Sequence, residues 1–294
     1  MLRPHFPTPI VAILLVFVAY FVTSLGLTLQ LDPEEAEQAI EPGFLGIAQA
    51  IGFGLIATFA ARRVPAPQAE RLGLGPMSLR YLPVVLMAVP FAIVVSEIDN
   101  WLALILPASD PEALERALAN APEWTPLAIA QAAIFRIGIE PVVMEFLFRG
   151  VIQQGLIAYL GRLTGVMVTA ALSLDLGAFA TSGSPVSGLM LSMLLGLTLG
   201  YLRIGTGSLV APILARGLWN AMGLFAVVYA TEFPISGFNT FNGEHTHPIL
   251  LAACSACVVW AAIELLRSLR GVPIVLPIEE EPDPEEDDES TGFF

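Results

Sequence analysis

Six ionisable residues lie inside long apolar stretches of this 294-residue sequence, where a charge is costly unless a partner neutralises it. Three are acidic and three are basic, so their formal charges cancel. The six are Arg136, Glu140, Glu145, Arg149, Asp175 and Arg216. Residues of these types can form ion pairs between helices, or they can line a polar cavity in which a carboxylate activates water.

Spacing predicts how these charges pair. A separation of four residues places both partners on one face of a helix. Two pairs have this separation, namely Arg136 with Glu140 and Glu145 with Arg149. Asp175 and Arg216 then remain on two different apolar stretches. Three ion pairs that stabilise a helical bundle are therefore predicted, and a functional polar cavity built from the same residues is the alternative.

The elements that position these charges are membrane helices. The chain is 55% hydrophobic and 14% charged, with a mean hydropathy of +0.74, a composition typical of membrane proteins. About 20 apolar residues span a bilayer. Eight stretches qualify: 10–31, 43–61, 81–96, 126–159, 163–181, 186–202, 208–230 and 248–266. We predict an all-α, polytopic transmembrane bundle of about eight helices, in which 10–31 is a retained helix rather than a cleaved signal peptide.

Two of these stretches have special features. The stretch 126–159 is longer than a bilayer requires, so we expect it to tilt, to protrude, or to break near Gly150 or Gly155. The stretch 186–202 contains Gly196 and Gly200, a GxxxG spacing that permits close packing of a neighbouring helix.

The basic residues are all arginine, and their distribution predicts the orientation. With a cytoplasmic N-terminus, the inside segments contain nine arginines and the outside loops only Arg116. This distribution satisfies the positive-inside rule and places both termini in the cytoplasm. Residues 1–270 are expected to form one transmembrane bundle.

The net charge of −14 is largely local, because residues 279–289 contain nine carboxylates. This acidic, proline-rich composition predicts that 271–294 is a disordered cytoplasmic tail. Its role is either to remain solvated or to bind a basic partner. No basic cluster suggests a nucleic-acid partner, so the lipid bilayer is the expected environment of the chain.

The order of several motifs resembles the CAAX-protease and bacteriocin-processing family (CPBP, or Abi) of intramembrane metalloproteases over about residues 70–230. Residues 144–150, MEFLFRG, resemble its Glu-Glu-x-x-x-Arg motif. Residues 173–180 resemble a Phe-x-x-x-His motif, and residues 216–220, RGLWN, resemble His-x-x-x-Asn. Residues 72–75, LGLG, resemble the segment that precedes this core. The resemblance implies intramembrane endopeptidase activity, a divalent metal such as zinc, and a bacterial inner (cytoplasmic) membrane.

At three motif positions this sequence lacks the Glu or His residue that the family has there. Met144 replaces the first Glu, Ala180 replaces one His (with Leu176 at the Phe position), and Arg216 replaces the other His. The surviving motif positions are Glu145, Arg149 and Asn220. Because the fixed positive charge of an arginine repels a cation, we expect no metal cofactor.

The remaining histidines and cysteines do not restore such a site. His5 is near the N-terminus, and His245 and His247 fall in an outer loop, where a His-x-His sequence binds metal weakly at most. Cys254 and Cys257 are interpreted as small packing residues of one helix.

Three hypotheses follow. The first is a catalytically degenerate family member that binds a membrane-embedded or lipidated peptide or protein, in which Arg216 forms a salt bridge with Glu145 or Asp175. The second is a divergent but active protease that uses Glu145, assisted by Glu140 or Asp175. The third is a small transporter, although the inverted repeats common in such proteins are not visible.

Overall fold

The structure is a computed structural model, and it describes residues 5–29, 42–106, 124–174, 185–240, 244–270 and 272. Within these ranges the chain is helical, without strands. Its nine helices are α1 (Pro9–Thr28), α2 (Pro42–Ala61), α3 (Gln68–Leu72), α4 (Leu79–Ile105), α5 (Pro126–Leu160), α6 (Arg162–Leu172), α7 (Pro185–Thr206), α8 (Val210–Val228) and α9 (Pro248–Ser268). The prediction of an all-α polytopic bundle is confirmed.

Seven of these helices are long and apolar enough to cross a membrane; the exceptions are the short helices α3 and α6. The chain is therefore an integral membrane protein. The predicted stretch 163–181 is helical over Arg162–Leu172, and its last seven residues lie outside the described part. The predicted tail 271–294 also lies outside it, apart from Val272.

The outer surface of the bundle is apolar, as a lipid environment requires. α1 exposes Ile10, Phe17 and Phe21, and α9 exposes Ile249 and Trp260. Toward the interior, by contrast, α1 presents small residues such as Ala12 and Ala19, which allow close approach of α2 and α5. α1 thus packs as a member of the bundle, and its retention in the mature protein stays a prediction.

The centre of the bundle is α5, which begins at a Thr125 N-cap followed by Pro126. Its 35 residues correspond to about 50 Å, well beyond a bilayer core of about 30 Å. The helix does not break at Gly150 or Gly155. Instead it contains two π-helical segments, Ala133–Ile139 and Phe146–Ile152. These segments bracket the short α-helical section Glu140–Glu145.

The other helices surround α5 in two groups. α1 and α2 pack together against one side of it, and their apolar cluster includes Phe53 and Phe148. α8 packs against the first π segment, while α6 and α7 pack against the second half of α5. α4 and α9 complete the bundle through a second apolar cluster with α7 and α8. Consequently α5 is contacted from several directions at the level of its charged residues.

Several short connections meet at one end of the bundle. Residues 72–75 pack on the turn between α7 and α8, where the Leu209 N–H donates to the Gly73 carbonyl at 2.8 Å and the Ser208 hydroxyl donates to the Gly75 carbonyl at 2.7 Å. Gly73 has φ 76°, a left-handed conformation that glycine adopts without strain. The upstream LGLG sequence is therefore a structural part of the core that it precedes.

Candidate functional site: a buried carboxylate between two guanidinium groups

Glu145 is the most deeply buried charge of the described residues, with a relative exposure of 0%, and two arginines enclose it. Arg149, one turn further along α5 and 1% exposed, places Nε 3.2 Å from Glu145 Oε2. Arg216 of α8, 4% exposed, donates from Nη1 to Glu145 Oε1 at 2.9 Å. Both oxygens of the carboxylate therefore face a guanidinium group.

Glu140 extends this cluster by one helical turn. Its Oε1 lies 3.8 Å from Arg216 Nη2, and the side chain is buried. The four residues Glu140, Glu145, Arg149 and Arg216 carry two negative and two positive charges, so the cluster is neutral. Neutrality makes full burial tolerable, because isolated charges at membrane depth are costly.

This arrangement confirms two predicted pairings, Glu145 with Arg149 and Glu145 with Arg216, and revises a third. The bridge from Arg216 to Glu145 is present, whereas Asp175, the alternative partner, lies outside the described residues. The predicted partner of Glu140 was Arg136. However, the Arg136 side chain is exposed, while Glu140 is buried toward Arg216. A guanidinium on the neighbouring helix neutralises Glu140 inside the bundle, which a residue on the outer face cannot do.

Two contacts of the first π segment fix α8 against α5. The Asn220 side-chain amide donates to the Arg136 carbonyl at 2.6 Å. A Cβ on Gly217 would lie 3.0 Å from the Ile137 carbonyl oxygen, so glycine at this position permits the close approach. Asn220 thus positions the helix that carries Arg216. Its own hydrogen bond is to α5 backbone and not to Glu145.

The second π segment is fixed to α7 through the GxxxG sequence. Arg149 Nη2 donates to the Gly196 carbonyl at 2.9 Å, and Gln153 Nε2 donates to the Gly200 carbonyl at 2.9 Å. On the other side, a Cβ on Gly196 would lie 2.9 Å from the Cβ of Ala170 on α6. The predicted packing role of these glycines is confirmed, and their carbonyls additionally orient Arg149.

Met144, at the position of the family's first Glu, points away from the cluster. It is buried among apolar residues of α1, α2 and α5 such as Phe53 and Ala57. Ala180 lies outside the described residues. Within the described part, therefore, Glu145 and Glu140 are the carboxylates at this level of α5, and both face Arg216.

The residues of this cluster do not fit a divalent metal. The Arg216 guanidinium lies 2.9 Å from Glu145 Oε1, and its fixed positive charge repels a cation at this carboxylate. Across the described ranges, no group of three or more His, Cys, Asp or Glu side chains could bind a metal ion.

A second buried carboxylate, Glu97 of α4, was missed by sequence reasoning. It accepts hydrogen bonds from the Thr246 N–H at 2.8 Å and the Asn100 amide at 3.4 Å, and its Oε1 lies 2.8 Å from His245 Nδ1. Trp101 stacks near His245, with ring centroids 4.7 Å apart. The predicted third stretch ends at Ser96 and so excludes Glu97, whereas the helix continues to Ile105.

His247, Cys254 and Cys257 lie in separate surroundings at the start of α9 and within it. His247 caps α9 by accepting from the Ile249 N–H at 3.4 Å, so it does not join His245 around a common site. Cys254 is buried and Cys257 is exposed, and both are free thiols.

The fold and the cluster together define a class: a polytopic membrane protein whose central helices enclose a neutral carboxylate–guanidinium cluster. Residues 125–222 match the family model described as Type II CAAX prenyl endopeptidase Rce1-like. This segment runs from the N-cap of α5 into α8, and it contains the whole cluster. The resemblance to CAAX-protease-like proteins is thereby confirmed for about a third of the chain. No curated protein and no solved structure matches the chain.

Proposed function

We propose that this protein is a CAAX-protease-like membrane protein that binds a membrane-embedded or lipidated peptide without hydrolysing it. The observation that carries the proposal is the 2.9 Å contact between Arg216 and the fully buried Glu145. A carboxylate acts as a general base only when it can reach the proton of a water molecule. Here Oε1 accepts hydrogen bonds from both Arg216 and Arg149, and Oε2 is buried 3.2 Å from Arg149 Nε.

An apolar cavity near the cluster supports the binding role. It has a volume of about 390 Å³ and lies between α4, α7, α8 and α9. Its walls include Val85, Phe91, Thr198 and Ala215, and Ala215 directly precedes Arg216. An apolar cavity of this size suits the hydrocarbon chain of a lipidated ligand.

The orientation in the membrane is part of the proposal. Residues 5–7 pack against the end of α5, where the Tyr159 hydroxyl donates to the His5 carbonyl at 2.9 Å. Val272 accepts a hydrogen bond from Arg162 at the same end. Both ends of the described chain thus lie beside the arginine-rich loops, which supports termini on the cytoplasmic side, and the family resemblance implies a bacterial inner membrane. Reporter fusions at the two termini test this orientation.

The test of function compares cleavage with binding in lipid nanodiscs. A peptide with a prenylated C-terminal cysteine and its unmodified counterpart are incubated with the purified protein, and products are analysed by mass spectrometry. We expect no cleavage and saturable binding of the prenylated peptide only. Cleavage that Glu145→Ala abolishes would overturn the proposal in favour of an active protease.

A matched pair of variants tests the cavity. Thr198→Trp fills it, whereas Met190→Trp adds the same side chain to an exposed position of α7. Weaker peptide binding in Thr198→Trp alone is expected. Equal binding by both variants and the unmodified chain would contradict the role of this cavity.

A further inference from the structure

A second cavity, of about 420 Å³, lies at the arginine-rich end of the bundle and is separate from the apolar cavity. Four guanidinium groups line it, from four separate segments of the chain, and its lining includes one carboxylate, Glu70. The arginines are Arg71, Arg149, Arg162 and Arg203. Glu145 already neutralises Arg149 and Glu70 offsets one further charge, so the lining keeps a net excess of two positive charges, which indicates a site for an anion.

Two of these arginines, Arg162 and Arg203, donate to backbone carbonyls at helix ends. Arg203 Nη2 donates to the Arg71 carbonyl at 3.1 Å, at the end of α3, and a Cβ on Gly73 would collide with the same guanidinium. Arg162 Nη1 donates to the Leu269 carbonyl at 3.5 Å, just after α9. Partial negative charge at helix C-termini favours guanidinium groups there.

These contacts leave donors available. A guanidinium has five N–H donors, and the contacts of Arg162 and Arg203 use only part of this capacity. The Arg203 Nε is buried without a hydrogen-bond partner. Over the described ranges, neither Arg162 nor Arg203 forms a salt bridge. A ligand with several acceptor oxygens would satisfy these donors.

The position of the cavity favours a lipid as the source of those oxygens. The membrane-spanning helices α5, α7 and α9 end beside it, so it lies where the hydrocarbon core gives way to headgroups. Ile157 and Ile204 contribute apolar walls beneath the arginines. A basic pocket between helix ends on the cytoplasmic side suits a phospholipid headgroup.

We propose that this arginine-lined cavity binds the phosphodiester headgroup of an anionic phospholipid. The proposal does not depend on the peptide-binding function above. Guanidinium groups bind phosphate oxygens through paired hydrogen bonds, which gives an anionic headgroup an advantage over a zwitterionic one.

The test measures lipid binding to the full chain in neutral detergent by native mass spectrometry. Phosphatidylglycerol is compared with phosphatidylcholine, and inorganic phosphate serves as the probe of the anion alone. We expect saturable binding of phosphatidylglycerol and at least about tenfold weaker binding of the other two. Equal binding of both lipids would overturn the proposal, and so would phosphate binding as tight as that of phosphatidylglycerol.

Variants assign the binding to the cavity. Arg162→Gln combined with Arg203→Gln should weaken phosphatidylglycerol binding about tenfold or more. Arg62→Gln combined with Arg63→Gln removes the same charge from exposed positions outside the cavity and should leave binding unchanged. An equal loss in both double variants would overturn the assignment.

A further variant keeps the test valid if the double substitution prevents folding. The Glu70 residue is exposed, and its side chain can be neutralised without removing an arginine contact. Glu70→Gln should strengthen binding about twofold to fivefold. Glu232→Gln, at an exposed position outside the cavity, is its control. Unchanged or weaker binding in Glu70→Gln would contradict the proposal.

The nine carboxylates of residues 279–289 follow shortly after Val272 in the sequence, and Val272 lines the cavity, so the test must exclude them as a competing anion. Replacing all nine by amides in the full-length chain addresses this competition. Phosphatidylglycerol binding that is already present in the unmodified chain supports the lipid site. Binding that appears only after this replacement would overturn it.

Discussion

Two buried carboxylates of this protein are neutralised by different means. Glu145 lies within the bundle between Arg149 and Arg216, two permanently charged groups, at 3.2 and 2.9 Å. Glu97 lies near the end of α4, and its hydrogen bonds come from a backbone N–H, an amide and a histidine. The free-energy cost of burying a carboxylate can thus be offset by permanently charged groups or by hydrogen-bond donors.

The two arrangements serve different structural purposes. The Glu145 cluster joins α5 to α8 with helix-borne charges, and its orientation depends on Gly196 and Gly217. The Glu97 group instead joins α4 to the segment before α9, through His245 and Thr246. The first therefore stabilises the bundle itself, and the second stabilises a connection.

The largest expected effect comes from Arg216→Ala. It leaves Glu145 and Glu140 buried with one guanidinium fewer, and breaking a buried ion pair from one side costs about 3–5 kcal/mol. The thermal unfolding midpoint in detergent should decrease strongly. Arg136→Ala, which removes an exposed arginine, is the matched control and should change the midpoint little. Equal midpoints for the two variants would contradict the cluster.

A smaller effect is expected for Glu97→Ala. This change leaves the Thr246 N–H without its acceptor, at a cost of about 1–3 kcal/mol. Hydrogen exchange should increase at residues 244–247 while α5 and α8 remain protected. Glu97→Gln keeps one acceptor oxygen and should lose less stability. If exchange increases throughout the bundle, the proposed division between bundle and connection is wrong.

The next effect tests the packing behind Arg149. In Gly196→Ala the new Cβ would lie 2.9 Å from the Ala170 Cβ, so α6 and α7 must separate, at a cost of about 1–2 kcal/mol. At Gly223 a Cβ meets nothing within 4 Å, so Gly223→Ala should be neutral or slightly stabilising. The unfolding midpoints of both variants test this difference. A tolerated Gly196→Ala would show that the α6–α7 contact does not constrain Arg149.

The smallest effect is expected from the titration of His5, which belongs to neither of the two carboxylate groups. Burial, followed by the nearby positive charge of Arg71, lowers the pKa of His5 below 6.5 in the folded chain. The unfolded state therefore binds this proton more readily, and stability should decrease slightly as the pH falls from 6.5 through the folded-state pKa. Above pH 6.5 this destabilisation is absent, because the histidine is largely neutral in both states.

The variant His5→Gln isolates this contribution. It should show a smaller decrease in unfolding midpoint between pH 7 and pH 5 than the unmodified chain. An identical pH profile for both chains would show that His5 is not responsible.

Much of the bundle could be predicted because hydropathy determines where helices cross a membrane. The start of α5 at Pro126 and the packing role of Gly196 and Gly200 were predicted correctly. The bridge from Arg216 to Glu145 was also among the predicted alternatives, because a charged side chain at membrane depth needs an oppositely charged partner. These features depend on local composition or on the scarcity of possible partners.

Other features depend on distant parts of the chain and could not be predicted. Glu97 is buried because Thr246 and His245 approach from 149 and 148 residues away. Glu140 lies toward Arg216 because α8 presents a guanidinium that Arg136, on the outer face, cannot replace. The convergence of Arg162 and Arg203 on one cavity likewise follows from the packing of helix ends and not from their spacing.

The two π segments of α5 make the register of this helix sensitive to length. A π segment accommodates a residue that a regular α-helix would place elsewhere. Removing Ile137 from the first π segment would restore regular winding there and keep both flanks in register, whereas removing Val142 from the α-helical section Glu140–Glu145 would turn one side of that section by about 100° relative to the other. Glu140 and Glu145 would then no longer face Arg216 together. A single-residue deletion can therefore dismantle the cluster without changing any of its charged side chains.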